Sequence, residues 1–360
     1  MDRLVEIANR LTDVSGVVGV CLGGSRARGT HRPDSDFDLG LYYRPPLDTA
    51  TLRLLAAELT GGSVEVTEPG GWGTWVDGGA WLTVDGHRVD WIYRDLDRVH
   101  RIWQECQAGH YEVGTQAGHP LGVYSHAYVG EVALARILAD PSGELRGLQQ
   151  ETHSYPKPLR EALIAHAQWE VPFTLSIARK GMAGGDAFYI AGSLFRAVGL
   201  LVQALHAHAG CWVLNEKGAV QAAGELPAAP LDFAARAHGL FSVPGTAPDA
   251  LAAALDAADG LAPRYADSWR PDGNQGAAVP LWLVSGTAGF VRRSSSACRY
   301  HSKDREPTAQ LACGGCGLSG GDHAWAVRRG AARTWMRSPC LPNRLRISTG
   351  WSPAADGCGG

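Results

Sequence analysis

Residues 17–43, VVGVCLGGSRARGTHRPDSDFDLGLYY, constrain the fold of this chain more than any other stretch. An apolar run over 17–22 meets a turn at Gly23-Gly24-Ser25. A polar loop follows, and Asp36-Phe37-Asp38 then opens a second apolar run through Tyr43. Two short apolar runs bounded by turn residues read as two strands. Side chains alternate across a strand, so Asp36 and Asp38 are expected on one face. Carboxylates that close repel unless a divalent cation lies between them, and Mg2+ favours hard oxygen ligands of this kind. The turn ahead of them can offer backbone N–H groups and a hydroxyl to phosphate. A phosphate cradle beside a metal clamp is the outline of a phosphoryl- or nucleotidyl-transfer site.

A third carboxylate completes such a site. Asp90 in His87-Arg88-Val89-Asp90-Trp91-Ile92-Tyr93 lies within an apolar run, which places it on a strand rather than in a turn. A carboxylate in that setting is costly unless a cation or a donor satisfies it. Taken singly, Asp90 is better explained as a capped or hydrogen-bonded structural acid, and the Gly-Gly-Ser turn is common. Their order along the chain is what joins them.

The remaining pattern gives an α+β chain. Leu4, Ile7, Ala8 and Leu11 predict a helix over 2–14, and Leu52, Leu55, Ala56 and Leu59 a second one stopped by Gly61-Gly62. Residues 63–67, 80–84 and 88–93 read as strands, with Asp85-Gly86 as a hairpin turn. From about residue 96 the helical period takes over, near 96–108, 126–139, 157–180, 186–208, 230–240 and 247–259. We therefore expect a catalytic domain over 1–98, with a small mixed sheet and helices. An α-helical bundle domain over 99–270 and a low-order Arg/Gly/Ser/Cys-rich tail over 271–360 should follow. In the tail, Cys313-Gly-Gly-Cys316 has zinc-knuckle spacing, but no second pair completes a site, so disorder is the expectation. Such a composition is also what a shifted frame in GC-rich DNA yields; codon-position GC bias across codon 280 distinguishes the two.

Charge excludes one class of partner. Residues 281–360 hold 11 Lys and Arg against 4 Asp and Glu, and the first 280 hold 22 against 32, a net of −10. An acidic body does not suit broad nucleic-acid binding or a template channel. No apolar run reaches transmembrane length, so no membrane partner is expected, and scattered Cys21, Cys106 and Cys211 suit a reducing cytoplasm.

Gly24-Ser25, ten residues, Asp36-Phe37-Asp38 with apolar flanks, and a later strand Asp together resemble the polymerase-β-type nucleotidyltransferase superfamily. The loop Arg32-Pro-Asp-Ser-Asp-Phe-Asp38 is similar to that of its small bacterial two-domain members, antibiotic nucleotidyltransferases among them. The resemblance implies that Gly24 and Ser25 grip the nucleotide triphosphate and that Asp36, Asp38 and Asp90 are catalytic and hold Mg2+. It further implies a Lys near the cleft, matched by Asn215-Glu216-Lys217, and a helical-domain carboxylate as general base. Glu151, Glu161, Glu170 and Asp186 are candidates for that base, with N-capping a sufficient role for Asp186. Arg26 and Arg28 are candidates for facing the triphosphate. Trp72, Trp75, Trp81 and Trp91 are candidates for stacking on a base, with core packing the plainer role.

The expectation is NMP transfer from an NTP to a hydroxyl of a small molecule, such as an aminoglycoside or lincosamide, since an acidic body suits a cationic acceptor. The rivals are nucleotidylation of a protein, as in antitoxin-type members, and a nucleotide-binding regulatory module without catalysis.

Overall fold

A computed structural model describes residues 1–242 and 246–262. The expected tail over 271–360, Cys313 and Cys316 included, lies outside them. In chain order the elements are α1 (Asp2–Thr12), β1 (Val17–Leu22), α2 (Gly24–Ala27), β2 (Phe37–Tyr43), α3 (Thr49–Thr60), β3 (Gly79–Val84), β4 (His87–Asp95), α4 (Leu96–Gln107), β5 (Val113–Gln116), β6 (His119–Tyr124), α5 (Ala127–Leu134), β7 (Arg136–Ala139), α6 (Glu144–Thr152), α7 (Lys157–Ala178), α8 (Ala187–Ala209), α9 (Ala219–Gly224), α10 (Phe233–Gly239) and α11 (Pro248–Asp259).

Five strands form one sheet in the order β3-β4-β2-β1-β7, and β5 and β6 pair as a separate hairpin. Of the four pairings within it, only that of β2 with β4 is parallel. Asp85 and Gly86, with φ of 51° and 79°, turn β3 into β4 as the sequence signal required. One face of the sheet buries Val20, Leu39, Leu41, Val89, Trp91 and Tyr93 against the apolar stripes of α1 and α3. Each fully buried Leu there contributes about 1.5–3 kcal/mol. Asp48 caps α3 by accepting from the Thr51 N–H at 3.0 Å, and Gly61 closes it in the left-handed region.

Two expected elements differ. Residues 63–67 are not a strand; Val66 makes a single bridge to Ala80, because Arg53 and the Gly79 backbone take up the polar groups around it. The apolar spacing over 126–139 is not one helix. It stops at Leu134, and β7 pairs antiparallel with β1. The sheet thus runs past residue 98, taking its last edge strand from beyond α5.

The helical part is centred on the antiparallel pair α7 and α8. By length and composition α8 is apolar enough to cross a membrane, contrary to the expectation that no segment would be, but 61% of its most apolar window is buried inside the protein. It is the core helix of the C-terminal helices. Its ends carry an Asp186 cap on the Tyr189 N–H and a left-handed Gly210.

Between α7 and α8 sits a partly buried polar cluster. Glu170 accepts from Arg196 Nε at 2.6 Å and pairs with His166 Nε2, while Tyr111 meets His166 Nδ1. Burial raises the Glu170 carboxyl pKa, but His166 and Arg196 outweigh burial and hold it at about 2, below its ordinary 4.5. A depressed carboxyl stabilises the fold above its unfolded pKa and ceases to as pH falls toward its folded one. Glu170 should therefore lose a contribution of roughly 1–2 kcal/mol, allowing for solvent screening, between about pH 4.5 and 2. Urea denaturation at pH 7, 5 and 3 would read it, and Glu170→Gln should flatten that pH dependence. A profile that is unchanged in the variant would rule out this role.

Candidate active site

The parallel register sets Asp38 of β2 beside Asp90 of β4. Alternation sends Leu39 and Leu41 into the core, so Asp38, Gly40 and Tyr42 face the other side, joined by Ile92 and Arg94 from β4 and Cys21 from β1. This second face is the floor of a cleft of about 150 Å3. Gly23, Gly24 and Arg28 form one wall. Glu131, Leu134 and Ala135 form another, and Leu214 with Asn215 closes it. Cys21 is inert there, since burial pushes its thiol up to about 12.

Gly24 is fixed by geometry. Its φ is +60°, and a Cβ added to it would stand 1.7 Å from Asp38 Oδ2. Only glycine lets the turn close on that carboxylate. The Gly23 N–H donates to the Asp38 carbonyl at 2.7 Å and locks the turn to β2. Gly24, Ser25 and Arg26 open a helical turn, so their N–H groups have no partner within it.

Burial, then Asp36, then Glu131 raise the Asp38 pKa, while Lys217 and Arg28 oppose the shift. Asp90 is pushed up to about 6 by burial first, then by Asp38 and Asp36. The charges of Asp36, Asp38 and Asp90 therefore act on one another, and of the three only Asp38 lines the cleft. Asp36 precedes β2 by one residue, and its Oδ1 is buried without a hydrogen bond. Arg88 Nε stands 2.5 Å from that oxygen, close in distance but without hydrogen-bonding alignment. Among the described residues no three His, Cys, Asp or Glu side chains form a preformed metal cage. Arg88, Arg28 and Lys217 offset the repulsion among these acids only in part, and a divalent cation would relieve the remainder, so the donor set fits Mg2+.

Arg28 donates to the Gly24 carbonyl at 3.2 Å and lines the cleft. Arg26 is engaged differently. It donates to the Ser35 carbonyl at 2.7 Å, to those of Pro33 and Asp36, and lies 3.8 Å over the Phe37 ring. It holds the loop that delivers Asp36. Ser25 is in the turn beside Gly24 but not on the cleft lining. Lys217 is exposed; its N–H donates to Asn215 Oδ1 at 3.0 Å, and its charge favours ionised Asp38.

The four candidate bases lie elsewhere. Glu151 accepts from Trp103 Nε1, Glu161 pairs with Lys157, Glu170 is held by His166 and Arg196, and Asp186 caps α8. The carboxylate that does reach the cleft from beyond the first domain is Glu131 on α5, gripped by Arg94 Nε and Nη2 at 2.5 and 2.7 Å. No local pattern marked Glu131 or Arg94. Arg88 was legible, two residues before Asp90 and hence on its face. Trp91 is fully buried, and Trp81 is exposed and stacked on Trp72 at 4.4 Å, so neither faces the cleft.

No curated protein matches the chain. Among solved structures, a nucleotidyltransferase-like protein from Exiguobacterium sibiricum 255-15 is similar over 70% of this chain and 71% of its own, at 12% identity and a TM-score of 0.37. The model of the nucleotidyltransferase domain family matches residues 1–73, a stretch that holds Gly24, Ser25, Asp36 and Asp38. Over residues 1–73, therefore, this chain is similar to the nucleotidyltransferase domain family.

Proposed function

We propose that the chain transfers NMP from an NTP to a hydroxyl of a small molecule, with Asp36, Asp38 and Asp90 as the catalytic, Mg2+-holding carboxylates. The observation that carries this is the coupling of the three acids beside a glycine turn that only Gly24 can make. Mg2+, when bound, would supply charge neutralisation at the α-phosphate and lower the barrier to attack by the hydroxyl. The turn at Gly24 and Ser25 presents backbone N–H groups to the triphosphate. Arg28 and Lys217, whose charges already act on Asp38, offset its negative charge. Gly40 keeps the floor low between Asp38 and Tyr42. The Arg94 guanidinium occupies both oxygens of Glu131, so we assign it the positioning of Arg94 rather than the role of base.

Retention of all three acids favours catalysis over a binding module, which needs none of them. The test is pyrophosphate release by the full chain with each of four NTPs, Mg2+ and a panel of hydroxylated acceptors. Release that depends on one acceptor class and stops with EDTA is expected. NTP binding without release against any acceptor would favour the regulatory reading. An NMP-sized adduct on cellular proteins would favour protein nucleotidylation. We place the enzyme in the cytoplasm, on its free thiols Cys21, Cys106 and Cys211.

A further inference from the structure

Behind the segment that closes the cleft lies a second cavity of about 250 Å3. Leu214 and Asn215 belong to the walls of both, so a two-residue partition separates the carboxylates from this chamber. The chamber is a partly open pocket lined by β6, α8, the 213–216 segment, α9 and the end of α10. Its wall is largely apolar: Val198 and Val202 of α8 and Val213 are buried, and Val220 and the exposed Phe241 complete the apolar lining. Tyr124, Asn215 and His238 also line it, and two further polar groups interrupt the aliphatic wall. Gln203 Oε1 is buried on the wall and, among the described residues, has no aligned hydrogen-bond donor, although its side chain acts on the buried His126 ring. Glu216 is the one carboxylate among the lining residues, and its oxygens are engaged, accepting from the Leu121 N–H at 2.8 Å and standing 3.5 Å from His119 Nδ1.

We propose that this chamber seats the apolar body of the acceptor, with the acceptor's hydroxyl reaching past Asn215 into the cleft; the proposal rests on the nucleotidyl-transfer reading above. Aliphatic cavities of about 150 Å3 hold benzene, so 250 Å3 takes a group of one or two rings or a branched hydrocarbon. A buried acceptor without a donor is costly, and an N–H or O–H on that body satisfies Gln203 Oε1. A polycationic sugar fits poorly, because its ammonium groups would meet aliphatic walls and a carboxylate already engaged. The acceptor class is thus an amphiphile: an apolar ring system with one inward-facing donor and a hydroxyl at its cleft end. The acidic body still permits a single cationic group outside the chamber.

Indole and benzofuran share a shape and differ in the N–H donor. Calorimetric titration of the full chain with each, without nucleotide, reads the chamber independently of any transfer reaction. We expect one-site binding of indole about fivefold tighter than of benzofuran, the effect of one net hydrogen bond. Val220→Phe, which fills the chamber from α9, should weaken both about tenfold. Gln203→Leu, which keeps the volume and removes the orphaned oxygen, should erase the difference between the probes. Absence of saturable binding, or binding untouched by both variants, overturns the proposal whatever the chain transfers. In the pyrophosphate assay, ring-bearing amphiphilic alcohols should exceed polycationic sugars, and Val220→Phe should raise their KM about tenfold with kcat little changed. Release with polycationic sugars alone overturns the proposal and leaves nucleotidyl transfer standing. Unchanged release in Asp38→Asn sinks the transfer reading while the indole titration still decides the chamber.

Discussion

Asp38→Asn should leave the fold intact and lower pyrophosphate release by about 10^3-fold or more, the scale on which loss of a charge-stabilising group acts. The reasoning starts from what an ionised Asp38 costs. It sits behind Gly24 on a sheet face that also carries Asp90, with Asp36 and Glu131 acting on it as like charges. Burial and those neighbours raise its pKa, and a raised carboxyl pKa means that ionisation disfavours the folded state. Asparagine keeps the shape and removes the charge, so thermal unfolding should move upward or stay where it is. A structural aspartate would behave in the opposite way, with stability falling along with activity. Retained stability with lost turnover therefore identifies a group kept for chemistry at a cost to the fold. Turnover close to that of the parent chain would refute the assignment, and so would a marked loss of stability. Asp90→Asn should follow the same pattern, since its carboxyl is pushed up to about 6 by burial and then by Asp38 and Asp36.

What the sequence revealed of this site is what lies within one strand period. Asp36 and Asp38 are two residues apart at the start of an apolar run, and Asp90 interrupts another. The parallel register that sets Asp38 beside Asp90 is a long-range pairing, but both acids were marked by their own strands. Glu131 and Arg94 carried no such mark. Glu131 lies in an ordinary apolar segment and Arg94 in the charged run Arg94-Asp95-Leu96-Asp97-Arg98, and their relation appears only when α5 folds over β4. The same limit explains 126–139. Its Ala, Leu and Ile satisfy both helical and strand periods, and the free edge of β1 decides in favour of β7. Lys217 was marked by the resemblance alone, and the structure adds that its charge acts on Asp38 and that Asn215 touches two cavities. The chamber could not be read beforehand, because five separate segments contribute to its wall.

Arg94→Ala should cost about 3–5 kcal/mol of stability, the range for removing one partner of a buried ion pair, and lower Tm by on the order of 10 °C. Arg94 is 7% exposed and joins three segments. Its Nε and Nη2 hold Glu131 on α5, while Nη1 donates to the Tyr93 carbonyl at 2.8 Å and to the Val76 carbonyl at 3.2 Å. The guanidinium also lies 5.0 Å over the Tyr128 ring. Truncation leaves two carbonyls short of a donor, opens a cavity under Tyr128 and leaves Glu131 uncompensated beside Asp38. The last effect can be separated from the others. Glu131→Gln in the Arg94→Ala background removes the unpaired charge, so it should recover roughly 1–2 kcal/mol, whereas Glu131→Gln alone should destabilise. A double-mutant cycle by urea denaturation measures the coupling. If the second substitution recovers nothing, the loss comes from packing and carbonyl contacts, and Glu131 does not act on Asp38 through its charge. If it recovers as expected, the Arg94–Glu131 pair is what allows a fourth carboxylate to stand at the cleft without displacing the three assigned to metal.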